Sequence, residues 1–89
     1  GEASLPARAI VLADKLHNLG SMVFELERGE EPWSRFNASP QDLIWYHREI
    51  VAAAARLPTD TDSSFAQRLD WLATEARRLI DKLALSIPD

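Results

Sequence analysis

The residues of this chain best suited to chemistry form one polar stripe near the N-terminus. Asp14, Asn18 and Ser21 are four and three residues apart, so a helix of 3.6 residues per turn places them on one face. Ile10 and Val11 flank this stripe, which predicts a helix that is apolar nearly all round and buried on every side. An acid in that setting is costly unless it is paired, hydrogen-bonded or bound to a metal. Asp14 is therefore the leading candidate for a functional residue.

The polar residues of this helix also have purely structural interpretations. A lone Asp in a helix is most often a solvated surface group. Asn18 and Ser21 can simply hydrogen-bond to local polar groups, and Lys15 is more easily an ion-pair partner on the helix than a cation beside a phosphate. His17 points away from the stripe by about 60°, from the rotation of ~100° per residue. We interpret His17 as a structural, hydrogen-bonding histidine and not as a ligand.

The segment LADKLHNL, residues 12–19, followed by Ser21, resembles the last metal-binding motif of HD-domain phosphohydrolases. The most similar branch includes alarmone (ppGpp) pyrophosphohydrolases and related small bacterial hydrolases. Two further blocks, WSRFN at 33–37 and WYHRE at 45–49, recur at this distance after the motif in one set of such proteins. The resemblance covers about residues 5–57.

The resemblance implies a role for each residue of the stripe. Asp14 would bind a divalent transition metal such as Mn²⁺, alongside imidazoles from elsewhere in the domain. The metal would lower the pKa of a bound water and polarise a phosphoryl oxygen. Asn18 and Ser21 would contact a nucleotide-type phosphorylated substrate, and Lys15 is a candidate cation beside its phosphate.

Arg35 and Arg48 are further candidates for substrate binding, because an arginine can hold a phosphate through two parallel hydrogen bonds. Trp45 lies in the same blocks, and an aromatic ring can stack on a base. The simpler interpretation of Trp45 and of the other two tryptophans, Trp33 and Trp71, is that they fill the core of a small protein.

The metal site of the HD family also needs an upstream His and an adjacent His-Asp pair, which this sequence lacks. His17 and His47 are not followed by Asp, and thirteen residues precede Asp14. We therefore expect the C-terminal portion of a phosphohydrolase, incomplete for catalysis as given, with no metal tightly bound. The alternative is a non-catalytic helical interaction or oligomerisation module.

Composition narrows the class of protein and its partners. A chain of 89 residues allows one small domain, at 1–89. The absence of cysteine excludes a disulfide scaffold and a thiolate zinc site, and it fits a cytoplasmic protein. A net charge of −4 without a basic cluster argues against binding to nucleic acid. No apolar run approaches the ~20 residues of a membrane span.

The pattern of caps and apolar residues predicts an all-α fold with three helices and antiparallel neighbours. The first should run from about Leu5 to Arg28, with Ser4 as its N-cap and Gly29 at its end. The second should start at Ser39-Pro40 and reach about Leu57, before Pro58. The third, 64–85, should begin with a capping box at Ser64. The resemblance implies that these helices are the C-terminal portion of an HD-like fold, with 64–85 as an addition beyond the resemblance.

Each predicted helix carries an apolar stripe at the spacing of a core face. The stripes are Leu5, Ala9, Leu12, Leu16, Leu19, Val23 and Leu26; Leu43, Ile44, Ile50, Val51, Ala54 and Leu57; and Phe65, Leu69, Leu72, Ala76, Leu79 and Leu83.

Gly20 interrupts the first helix, either as a kink, as a small-residue packing contact or as a point of close approach. Trp33 and Phe36 should anchor the loop at 29–39, and Arg77 should pair with Asp81.

In a complete domain further helices would cover Ile10 and Val11, but three packed helices alone would leave them in water, because they lie on the face opposite the core stripe. A contiguous exposed apolar surface usually marks an interface. We therefore expect a homodimer that pairs first helices, since two-fold symmetry is the commonest arrangement.

Overall fold

The computed structural model describes residues 5–56 and 62–87, apart from the side chains of Leu5 and Arg35. Its helices are α1, Leu5–Glu27; a 3₁₀ helix, Pro32–Arg35; α2, Pro40–Ala54; and α3, Ser63–Leu85. No strand occurs in these ranges, so the predicted three-helix, all-α fold is confirmed. No helix in the described residues is long and apolar enough to cross a membrane.

α1 ends where a glycine turns the chain, as predicted. Gly29 has a φ of 81°, in the left-handed region that favours glycine. Its N–H donates to the Leu26 carbonyl at 3.0 Å, and the Glu30 N–H donates to the Glu25 carbonyl at 2.9 Å. These two bonds satisfy carbonyls that the helix end would otherwise leave unpaired. The predicted N-cap at Ser4 lies outside the described residues.

α2 begins with the predicted cap. The hydroxyl of Ser39 accepts a hydrogen bond from the Asp42 N–H at 3.1 Å, and Pro40 takes the first helical position, where its missing N–H costs nothing. The helix ends at Ala54, three residues earlier than the predicted Leu57, which lies outside the described residues.

α3 begins differently from the prediction. Its N-cap is Asp62, not Ser64: one carboxylate oxygen accepts from the N–H of Ser64 at 3.0 Å and of Phe65 at 3.3 Å. The Ser64 hydroxyl donates to the same oxygen. The capping box was wrong because a carboxylate is favoured over a hydroxyl at the positive end of a helix dipole, and this one lies two residues upstream.

Contacts at the helix ends give the directions of the helices. The Arg8 guanidinium donates to the Arg56 carbonyl just beyond the end of α2, so α1 and α2 are antiparallel. Lys82 Nζ lies 2.8 Å from Glu27 Oε1, which brings the ends of α3 and α1 together and makes these two helices parallel. The chain therefore runs up, down and up.

The core lies among the three helices and uses most of the predicted stripe residues. Its buried apolar residues are Leu12, Leu19, Met22, Val23, Ile44, Val51, Ala54, Leu69, Ala73, Ala76, Ile80 and Leu83. Met22, Ala73 and Ile80 are buried but lie beside the predicted stripes. The predicted stripes were too narrow because they took about one residue from each helical turn. Trp33 packs against this core as predicted.

Two tryptophans that were predicted to fill the core do not do so. Trp45 is 64% exposed and Trp71 is 59% exposed. Trp45 comes directly after the buried Ile44 and faces away from the core, and Trp71 lies on the outer side of α3. α1 is likewise not buried on every side, since Ile10 is 70% exposed and Val11 is also exposed. The prediction that this face is left to water is confirmed.

Candidate functional site

The polar stripe of α1 forms as the spacing predicts, but it lies at the surface. The side chain of Asp14 is 62% exposed, so the prediction of a buried acid is wrong: α2 and α3 cover other faces of α1. Asn18 Nδ2 donates to Asp14 Oδ2 at 3.5 Å, and Lys15 Nζ lies 3.6 Å from the same oxygen. The carboxylate is thus held by weak local contacts and remains open to a further ligand.

An open pocket of about 630 Å³ lies between α1 and α2, next to this stripe. α1 contributes Lys15, Asn18 and Ser21 to it, three of the predicted substrate-binding residues. The complete lining is Lys15, Asn18, Ser21, Met22, Glu25, Phe36, Leu43, Tyr46 and His47. The α1 wall of the pocket therefore carries the hydrogen-bond donors of Lys15, Asn18 and Ser21 together with the carboxylate of Glu25, and the other wall is largely apolar and aromatic.

Lys15 links the stripe to α2. Its Nζ lies 5.8 Å from the centroid of the Tyr46 ring, within the range of a cation–π contact. With Asp14 on its other side, the ammonium is held at the edge of the pocket. A cation in this position can pair with a phosphate while its stem packs on the aromatic ring.

His47 is the buried polar residue that the sequence analysis missed. The residue is 7% exposed, and Nδ1 lies 2.8 Å from the carbonyl oxygen of Leu43. The Tyr46 ring meets it edge-on, with centroids 5.5 Å apart and planes at 87°. The available signal was its spacing: His47 lies three residues after Ile44 and four before Val51, on the buried face of α2.

The two arginines predicted to bind substrate are not brought to this pocket by the described contacts. Arg48 Nη1 lies 2.9 Å from Asp81 Oδ1 on α3, on a different side of α2. Asp81 was predicted to pair with Arg77, one turn earlier on its own helix. Arg35 belongs to the 3₁₀ helix, and its side chain lies outside the described residues.

A second, shallower groove of about 610 Å³ lies on α1 beside the first pocket. His17, Gly20 and Phe24 are among its lining residues, and Ser21 and Glu25 line both cavities. His17 is exposed and lines this groove, and its interpretation as a hydrogen-bonding histidine stays a prediction. A Cβ added to Gly20 would meet no atom within 4 Å, and the predicted packing contact is therefore absent there.

Asp14 fits a metal site as one ligand only. In the described residues, no three side chains among His, Cys, Asp and Glu converge on a point that could hold an ion. Divalent transition metals are usually held by several imidazole and carboxylate groups. The accessible carboxylate of Asp14 suits such a shared site if the other ligands come from elsewhere.

A comparison with protein-family models, curated proteins and solved structures finds no match for this chain. The similarity of residues 12–19 to the HD-domain motif therefore stays a prediction.

Proposed function

We propose that this chain is the C-terminal portion of a metal-dependent HD-family phosphohydrolase that acts on nucleotides or pyrophosphorylated nucleotides. The observation that carries the proposal is the shared pocket of Lys15, Asn18 and Ser21, with the open carboxylate of Asp14 beside it. The motif resemblance assigns roles to these same four residues.

The chemistry of the pocket suits a phosphorylated ligand. The Lys15 ammonium can pair with phosphate oxygens, and the Asn18 amide and Ser21 hydroxyl can donate to them. Phe36 and Leu43 line the opposite wall, where the apolar surface of a sugar or base can pack. Asp14 would give one ligand to a divalent ion, which when bound would activate a water and polarise a phosphoryl oxygen.

Binding of ADP to the isotopically labelled chain tests the pocket. We expect a dissociation constant of about 1 mM or tighter, with NMR shifts at Lys15, Asn18 and Ser21. Lys15→Gln and Asn18→Ala should each weaken binding several-fold. Lys82→Gln is the matched control, because Lys82 is an exposed lysine of α3 whose carboxylate partner, Glu27, lies outside the pocket lining. The proposal fails if ADP causes no shifts, or if the control variant loses as much affinity as Lys15→Gln.

The metal role of Asp14 has its own test in the same chain. A single carboxylate cannot hold a transition metal tightly, so calorimetry should show Mn²⁺ binding weaker than ~100 µM. Paramagnetic broadening by Mn²⁺ should nevertheless centre on Asp14 and disappear in Asp14→Asn. The matched control is Asp70→Asn, an exposed acid of α3. Broadening centred elsewhere would contradict the assignment, and a stoichiometric micromolar site would show that the site is complete.

A helical interaction or oligomerisation module is the second candidate. It is favoured by the exposure of large apolar side chains, of which Ile10, Trp45 and Trp71 are each more than half exposed. Such side chains usually mark a contact surface when they are contiguous. This candidate predicts self-association that depends on Ile10 and no effect of Asp14→Asn on any ligand.

A further inference from the structure

We propose that His47 is a ligand-binding residue of the pocket between α1 and α2, and that its Nε2 atom accepts a hydrogen bond from the sugar or base of a bound nucleotide. The inference rests on the proposed function, because it takes the ligand of this pocket to be a nucleotide. It adds a residue that neither the motif nor the polar stripe includes.

The hydrogen bond of Nδ1 fixes the state of the ring. A carbonyl oxygen can only accept, so Nδ1 must carry a proton and donate it to Leu43 at 2.8 Å. In the neutral imidazole, Nε2 is then the acceptor. None of the described protein groups forms a hydrogen bond with Nε2. Every buried side-chain nitrogen or oxygen in the described residues has a partner, so Nε2 is not a buried atom. Nε2 is therefore the atom through which the ring reaches the open space of the pocket that it lines.

His47 is a polar residue on the buried face of α2. Its helical neighbours on the buried face, Ile44, Val51 and Ala54, are all apolar, and His47 is the one buried polar side chain in the described residues. Burial of an imidazole costs free energy that an apolar side chain would not. The bond to Leu43 offsets this cost for Nδ1, and Nε2, which reaches the open space of the pocket, can bond to water or to a ligand.

The pocket then presents two kinds of group to one ligand. Lys15 and Asn18 offer donors, which suit the oxygens of a phosphate. Nε2 of His47 offers an acceptor, which suits a hydroxyl or amino group. The Tyr46 ring contacts both sides, at 5.8 Å from Lys15 Nζ and 5.5 Å from the His47 ring centroid. A ligand that joins phosphate to a hydroxyl or amine matches this layout, whereas inorganic pyrophosphate satisfies only the donors.

The two histidines of the chain allow an internal control. In a long-range ¹H–¹⁵N spectrum at about pH 8, where free imidazole is neutral, His47 should show the tautomer protonated at Nδ1. ADP should shift Nε2 of His47 and leave His17, which lines the other groove, unchanged. Pyrophosphate should shift Lys15 and Asn18 without moving Nε2. A shift at Asn18 with none at Nε2 under ADP would overturn this inference and leave the proposed function standing.

Two substitutions separate the nitrogens of the ring. His47→Asn keeps a donor near the Nδ1 position and removes Nε2, so it should weaken ADP binding about threefold to tenfold, the worth of one neutral hydrogen bond, and leave pyrophosphate binding unchanged. His47→Gln places an amide near Nε2 and should restore part of the loss, while His17→Gln should have no effect. Equal losses for ADP and pyrophosphate would mean a structural role and overturn the inference. If His47→Asn does not fold, the ADP-induced shift at Nε2 of the wild-type chain decides alone, and no binding of either ligand would overturn both proposals.

Discussion

Arg48 and Asp81 form an ion pair that joins α2 to α3, with 2.9 Å between Nη1 and Oδ1. The pair directs the guanidinium to α3, while the candidate pocket lies between α1 and α2. Tyr46 and His47, the two residues before Arg48, are among those that line the pocket. Arg48, which the sequence analysis proposed as a phosphate-binding residue, thus contacts another helix instead.

The ion pair predicts that Arg48→Gln leaves ADP binding unchanged. The free energy of unfolding should fall by about 1 kcal/mol or less, because both partners are exposed and surface ion pairs contribute little. ADP titration and urea unfolding of the variant check the two parts. A tenfold loss of ADP affinity would mean that Arg48 reaches the ligand after all.

Substitution by alanine should change the free energy of unfolding in opposite directions at Gly20 and Gly29. Gly20→Ala should stabilise the fold by about 0.5–1 kcal/mol, because Gly20 lies inside α1 and a Cβ there meets no atom within 4 Å. Gly29→Ala should destabilise it by about 1–2 kcal/mol, because φ is 81°. Urea unfolding of both variants measures the difference, and a destabilised Gly20→Ala would mean that α1 is more crowded than the structure has it.

The N-cap of α3 predicts a pH-dependent contribution to stability. Hydrogen bonds from the Ser64 side chain, and then from the N–H groups of Phe65 and Ser64, lower the pKa of Asp62 from its ordinary 3.8. A lowered folded-state pKa means that the stabilisation is fully present above about 3.8 and is lost as the pH falls through the lower value. Wild type should therefore exceed Asp62→Asn in stability at about pH 6, and the gap should narrow under acid. Urea midpoints at both pH values test this, and a constant gap would contradict it.

The exposed apolar face of α1 predicts a dimer. In water it costs about 25 cal/mol per Å² of apolar area, so burial against a second copy is favourable. Sedimentation at tens of micromolar should show a dimer or larger species, and replacing Ile10 and Val11 with Gln should shift it towards monomer. The same change at Ala52 and Ala53, two exposed residues of α2, is the control. A wild-type monomer across that range would exclude pairing through this face.

Local interactions let the sequence determine the helices and the polar stripe. The Ser39 cap and the turn at Gly29 depend on residues within a few positions of each other, so both can be predicted from the sequence. The alignment of Asp14 with Asn18 follows from the helical repeat alone. The N-cap at Asp62 was predictable by the same reasoning, but Ser64 offered a competing cap.

Tertiary structure decided which faces meet and what they enclose. A helix carries its stripe in any assembly, but the rotation and direction of its neighbours fix how far burial extends round it. That rotation buries His47 beside Ile44 and leaves Trp45, the residue between them, in water. It also gives Asp81 a partner on α2 instead of on its own helix. The pocket belongs to this class, because it is formed by side chains of α1 and α2 that only their packing brings together.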